Sequence, residues 1–176
     1  MLNTTKLFGC ETFSDVAIYY GESGKYRIHC HKVVLCGRSD YFLERLGQGG
    51  ISDVAGHTSI TLKDCNTEHE VRVAEAMLKF IYTDNWWVTD ISAEIPLPSE
   101  LDWRFHLCVA VTGHTYGIPE LEDKAYRTFR WAADEITDMR ELGFMMQELP
   151  KYCQILKRLR EDSRRWSMRS GVPLNL

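Results

Sequence analysis

The sequence lacks the long apolar runs that would tie it to a membrane. Nowhere do about 18 apolar residues follow one another, and the opening M-L-N-T-T-K-L-F-G lacks the apolar stretch of a signal peptide. A soluble protein of the cell interior, cytoplasmic or nuclear, is therefore expected. Paired C-x-x-C spacing is absent as well. The six cysteines (Cys10, Cys30, Cys36, Cys65, Cys108 and Cys153) are dispersed, mostly through apolar periodic segments, where free buried thiols are the expectation in a reducing compartment. There is no phosphate loop, no glycine-rich nucleophile turn and no paired-carboxylate site, so the commonest enzyme signatures are missing. No repeat or low-complexity tract occurs, and no cofactor is implied.

What is present fits one substantial core. A chain of 176 residues that is 44% hydrophobic is too short for two full domains and long enough for one with a helical appendage. Charge is uneven along it. Residues 151–176 hold seven Lys or Arg against Glu161 and Asp162, a balance of +5 that leaves −9 for the rest, given a net −4. The basic end reads as the solvated face of a terminal helix. The competing reading is nucleic-acid binding through Lys157, Arg158, Arg160, Arg164, Arg165 and Arg169 with Trp166 for stacking, but no motif for sequence-specific DNA recognition accompanies it.

Phe13 to Leu35 carries the clearest pattern. Val16, Ile18 and Tyr20 share one face at period two, and Tyr26, Ile28 and Cys30 repeat the alternation after a turn around Glu22, Ser23 and Gly24. This predicts a half-buried hairpin, with a helix entered through His31 and Lys32. The next segment carries apolar residues at 34, 35, 42, 43 and 46, interrupted near Gly37 to Ser39, and so predicts two short helices with Ser39 or Asp40 capping the second. Gly47, Gly49 and Gly50 stop it, and Ile60 and Leu62 alternate as in a third strand. From Asn66 to Thr83, Thr67 with Glu70 makes a capping-box pattern, and Val71, Ala74, Met77, Leu78 and Ile81 make a helical stripe. The proline-containing stretch from Asn85 to Glu100 predicts a loop, with a short edge strand near Trp87 and Val88. Helical period returns at Phe105, Cys108, Val109, Thr112 and Tyr116, is closed by Gly117 and restarted by Pro119, and continues through Leu121, Ala125, Phe129, Ala132 and Ala133. Two more helices are predicted, through Met139–Met146 and after Pro150.

The order of these elements, with F-S-D-V opening the hairpin and H-K-V-V-L opening the helix, resembles the BTB/POZ family of protein-interaction domains. F-I-Y-T-D at Phe80–Asp84 is similar to the family's F-I-Y-T-G, and Y-G-I-P-E-L at Tyr116–Leu121 to its K-Y-G-I-P-E-L. The resemblance covers residues 13–130, and residues 131–176 match only in position the helical extension that follows many such domains. The Trp- and Pro-rich insert is similar to those of fungal members. The fold implied is α+β, a small and mostly antiparallel sheet flanked by helical hairpins.

The resemblance also implies binding rather than catalysis. Asp15 and Lys32 match a charged pair at the base of the family's dimer groove. Many members bind the N-terminal domain of a cullin and serve as substrate adaptors of ubiquitin ligases, through an apolar-x-Glu motif that falls here on Ile51, Ser52 and Asp53, with Asp in place of Glu. Tyr41, Phe42 and Leu46 either offer an apolar face to the cullin or belong to the core. Leu7 and Phe8 anchor a short N-terminal arm, which leaves no room for an exchanged strand in a homodimer. The partners implied are thus a second copy, a cullin N-terminal domain and an unidentified client. A self-association scaffold without cullin binding is the alternative. A zinc site at His31 with His29, Cys30 and Cys36 is disfavoured, because successive strand residues point to opposite faces. A cysteine hydrolase using Cys36 or Cys108 with His106 or His114 lacks the accompanying turn and orienting group, so core packing is the reading of those residues.

Overall fold

The computed structural model describes residues 4–47, 58–63, 65–87, 99 and 102–149. Strand β1 (Val16–Tyr20) forms the middle of a three-stranded sheet, flanked by β2 (Tyr26–Cys30) and β3 (Thr58–Thr61). The alternation read from the sequence sets its inner face: Val16, Ile18, Tyr20, Ile28, Cys30 and Ile60 are all buried. β1 and β2 pair antiparallel, with Val16 opposite Cys30, as a tight hairpin requires. β1 and β3 pair in parallel, with Val16 opposite Thr58, so the sheet is mixed rather than mostly antiparallel. Parallel neighbours need a long crossover, and the two short helices α1 (Lys32–Cys36) and α2 (Asp40–Gly47) lie on that connection.

Helix α3 (Glu68–Thr83) runs through the centre of the molecule. Its start follows the capping box: the Thr67 hydroxyl accepts from the Glu70 N–H at 3.2 Å, and the Glu70 carboxylate accepts from Thr67 N–H at 2.9 Å. Burial lifts the Glu70 carboxyl, but the Thr67 and Asn66 N–H groups outweigh it and hold the pKa below the usual range. Beyond the predicted stripe, Arg72, Val73, Glu75, Ala76, Phe80 and Tyr82 are also buried, so the helix is enclosed on nearly all sides. Arg72 and Glu75 pair at 3.0 Å, and the Tyr20 hydroxyl donates to the second Glu75 oxygen at 3.2 Å. Asn85–Trp87 carry no strand, and Val88 lies outside the described residues.

α4 (Trp103–Thr115) is capped by the Asp102 carboxylate, which accepts from the Phe105 N–H at 3.0 Å, and packs along α5 (Pro119–Asp134). The turn between them depends on Gly117, which sits at φ +60° where a Cβ would lie 2.8 Å from that of Asp40. Gly113 lets the helices touch, since a Cβ there would meet the Glu122 backbone nitrogen at 2.6 Å. α6 (Met139–Glu148) joins a second apolar cluster of Trp103, Leu107, Phe129, Ala132, Met145 and Leu149. The segment after Pro150 lies outside the described residues.

Arg38, between α1 and α2, ties three elements together. Its guanidinium donates to Asp84 at the end of α3, pairs with Glu120 in the first turn of α5 at 3.1 Å, and lies over the Phe80 ring. Asp84 occupies the left-handed closing position of α3 at φ +59°, where glycine costs least. The Arg38 hydrogen bond holds the Asp84 carboxyl below its usual pKa.

Two outcomes follow from these contacts. Gly117→Ala should lower stability by roughly 1–3 kcal/mol in urea unfolding, because alanine meets both the left-handed penalty and the Asp40 contact. Asp84 has its folded pKa depressed, so its pair contributes above the ordinary carboxylate value of about 3.9 and is lost as pH falls through the folded value. Asp84→Asn should therefore cost at most about 1 kcal/mol at neutral pH, since the pair is partly exposed, and the gap to wild type should close in acid when unfolding is followed across pH.

Candidate protein-interaction surface

Asp15 and Lys32 come together where β1 begins and α1 starts, through backbone rather than through side chains. The Asp15 N–H donates to the Cys30 carbonyl at 3.2 Å, and its carboxylate accepts from the Lys32 N–H at 2.7 Å. Asp15 thus caps α1 from another strand, a task that the residue before the helix, His31, leaves undone. The expected charged pair is in this respect a carboxylate-to-amide bond, with Lys32 half-buried.

His31 turns inward and is buried. One ring nitrogen, Nε2, lies 2.9 Å from the Thr12 carbonyl. A carbonyl only accepts, so Nε2 carries the proton. Nδ1 lies 3.2 Å from the Tyr82 hydroxyl, which also accepts from the His31 N–H at 2.8 Å. Burial raises the pKa of both the Tyr82 hydroxyl and the Cys30 thiol, the latter to about 12. His31 is therefore a fastener between the segment before β1 and the end of α3. Among the described residues no three of His, Cys, Asp or Glu are grouped so as to hold a metal ion.

The predicted contact residues divide into two groups. Phe42 and Leu46 are corrected to core positions: they are 0% and 6% exposed, enclosed in the main apolar core, and cannot face a partner. Leu7 and Phe8 are half-buried on their own chain. The Phe8 ring stands 5.5 Å from that of Tyr82, and the Thr4 hydroxyl donates to the Tyr82 carbonyl at 2.6 Å. Tyr41 is half-buried and does line open space. Its ring stands 4.7 Å from Tyr116 at one side of an apolar groove of about 420 Å³, lined further by Val73, Met77, Cys108 and Val111. His69 borders the same groove with its pKa lowered, chiefly by burial, which favours the neutral ring. Ile51, Ser52 and Asp53 lie outside the described residues.

The candidate catalytic residues have other occupations. The Cys36 thiol lies 3.5 Å from the Phe42 carbonyl as donor, and burial raises its pKa, which disfavours the nucleophilic thiolate. His114 pairs with Glu122 at 3.3 Å, while His106 is buried and stacks on Trp87 at 6.0 Å between ring centroids.

Sequence reasoning missed the most exposed large apolar side chains among the described residues. Phe13 is 86% exposed and Val33 78%, on either side of the Asp15–Lys32 bond in the two segments it joins, and Leu43 on α2 is also exposed. A signal existed for Val33: a helix of five residues cannot bury every member of V-V-L. None existed for Phe13, whose φ of +64° has no sequence signature.

A comparison with curated proteins finds no match. A comparison with family models finds the BTB/POZ domain over residues 4–101, the span that holds the hairpin, the paired helices, β3, α3 and the Asp15–Lys32 surface. The chain therefore belongs to the BTB/POZ domain family, whose members are protein–protein interaction modules.

Proposed function

We propose that the protein is a self-associating interaction module in which residues 13–130 form the binding domain and residues 131–176 a helical extension. The observation that carries this reading is the surface around the Asp15–Lys32 bond, where Val33 stands almost free of its own chain beside charges of both signs. A two-fold contact needs a patch complementary to itself, and a lysine, a carboxylate and an exposed valine in one place meet that need. Carrying the domain past the matched span is supported by Phe105, Val109, Leu121 and Ala125, through which α4 and α5 enter the main core. Free thiols at Cys10, Cys30, Cys36, Cys65 and Cys108 favour action inside the cell, in cytoplasm or nucleus.

A second reading, adaptor for a cullin-based ubiquitin ligase, is supported by the groove beside Tyr41. A cleft of about 420 Å³ with apolar walls suits one or two anchoring side chains of a partner helix. In this reading the client protein engages another part of the surface, and Asp53 stands where the family's motif has Glu.

For self-association, sedimentation analysis of the full chain should give a dimer at micromolar concentration, and Lys32→Glu should weaken it by placing like charge beside Asp15. A monomer across the whole accessible range would remove the reading. For the adaptor role, titration calorimetry against a cullin N-terminal domain should register binding that Tyr41→Ala reduces about tenfold, equivalent to about 1.4 kcal/mol. Absence of heat at high micromolar concentration excludes it.

A further inference from the structure

Phe13 combines an unusual backbone conformation with an unusually exposed ring. Its backbone lies at φ +64°, a region that disfavours any residue with a Cβ, and its ring is 86% exposed. The conformation is held from both sides. On one side the Ser14 N–H donates to the Glu11 carbonyl at 3.0 Å and His31 Nε2–H to the Thr12 carbonyl at 2.9 Å. On the other, Asp15 is pinned by its N–H to Cys30 and by its carboxylate to Lys32. A strained residue persists only where its surroundings over-determine it. Here they fix an aromatic side chain pointing into solvent.

We infer that Phe13 is the anchor of the self-association contact, a pre-organised aromatic side chain that packs onto the exposed Val33 surface of a second copy. This rests on the self-association reading above. Central aromatic residues carry a disproportionate share of interface energy, and an anchor already held in place loses little conformational freedom on binding. The second copy is favoured over an unrelated partner because the same surface supplies both halves of the contact: Phe13 and Val33 as apolar faces, Lys32 against Asp15 as opposite charges. His31 takes the part of a positioning residue, since it holds the Thr12 carbonyl next to the anchor.

The test separates strain from contact. Phe13→Gly removes the ring while favouring the observed backbone, and Phe13→Asn does the same with a residue that tolerates positive φ. Both should raise the dimer dissociation constant tenfold or more in sedimentation analysis, while the unfolding midpoint of dilute monomer stays level or rises. Phe13→Leu, which keeps apolar bulk, should retain most of the affinity. In a double-mutant cycle with Val33→Ser, the loss from Phe13→Gly should shrink. A wild-type chain that stays monomeric overturns the self-association reading itself and this inference with it. A wild-type dimer that neither Phe13→Gly nor Phe13→Asn weakens overturns the inference alone, as does a loss of monomer stability in both variants that accounts for the lost dimer.

Discussion

The need to enclose α3 governs the rest of the molecule. That helix carries apolar residues around nearly its whole circumference, together with an Arg72–Glu75 pair that water does not reach. Such a pair is a poor source of net stability, because desolvation offsets most of its attraction, yet removing one partner leaves a buried charge at a cost of about 3–5 kcal/mol. The Tyr20 hydroxyl completes the arrangement by donating to Glu75, and its own pKa is raised, first by burial and then by the neighbouring carboxylate. The sheet can therefore seat against α3 only with Tyr20 at the end of β1 turned inward. That fixes which face of the hairpin is buried.

From the end of the same helix a chain of polar contacts leads to the surface. Tyr82 receives the His31 N–H and faces its ring, His31 holds the Thr12 carbonyl, and Asp15 caps α1. The candidate interaction surface is in this way the outer end of a network rooted in the core. Its exposed apolar side chains are presented by segments that have little freedom to withdraw them. The opposite side of α3 is tied by Arg38, which holds Asp84 and Glu120 and so links the helix end to α5. An aspartate at the left-handed closing position, where glycine fits best, is accommodated by that guanidinium.

Much of this was legible because it is local. Thr67 and Glu70 are three residues apart, the spacing at which side chain and backbone cap each other, and they do. Gly117 and Pro119 mark the end of α4 and the start of α5 for the same reason, since each acts on its own backbone angles. The alternation in β1 predicted its inner face. It did not predict that Ala17, on the other face, would also be covered. There Ala17 shares a small recess with Glu11, Ser14, Arg27 and His29, cover that a period of two does not record.

Residue order alone was enough to locate the hairpin and the long helices, the apolar stripe along α3 and the succession of motifs that marks the family, because these depend on spacings of two to four residues. It took the packed chain to show that Phe42 and Leu46 are interior, that Arg72 and Glu75 meet out of water, and that the Asp15 carboxylate binds the Lys32 backbone N–H. The packed chain alone set Phe13 at positive φ with its ring outward. Each of these depends on what packs from elsewhere in the chain, and a neighbour brought in by folding leaves no trace in the local pattern of residue types.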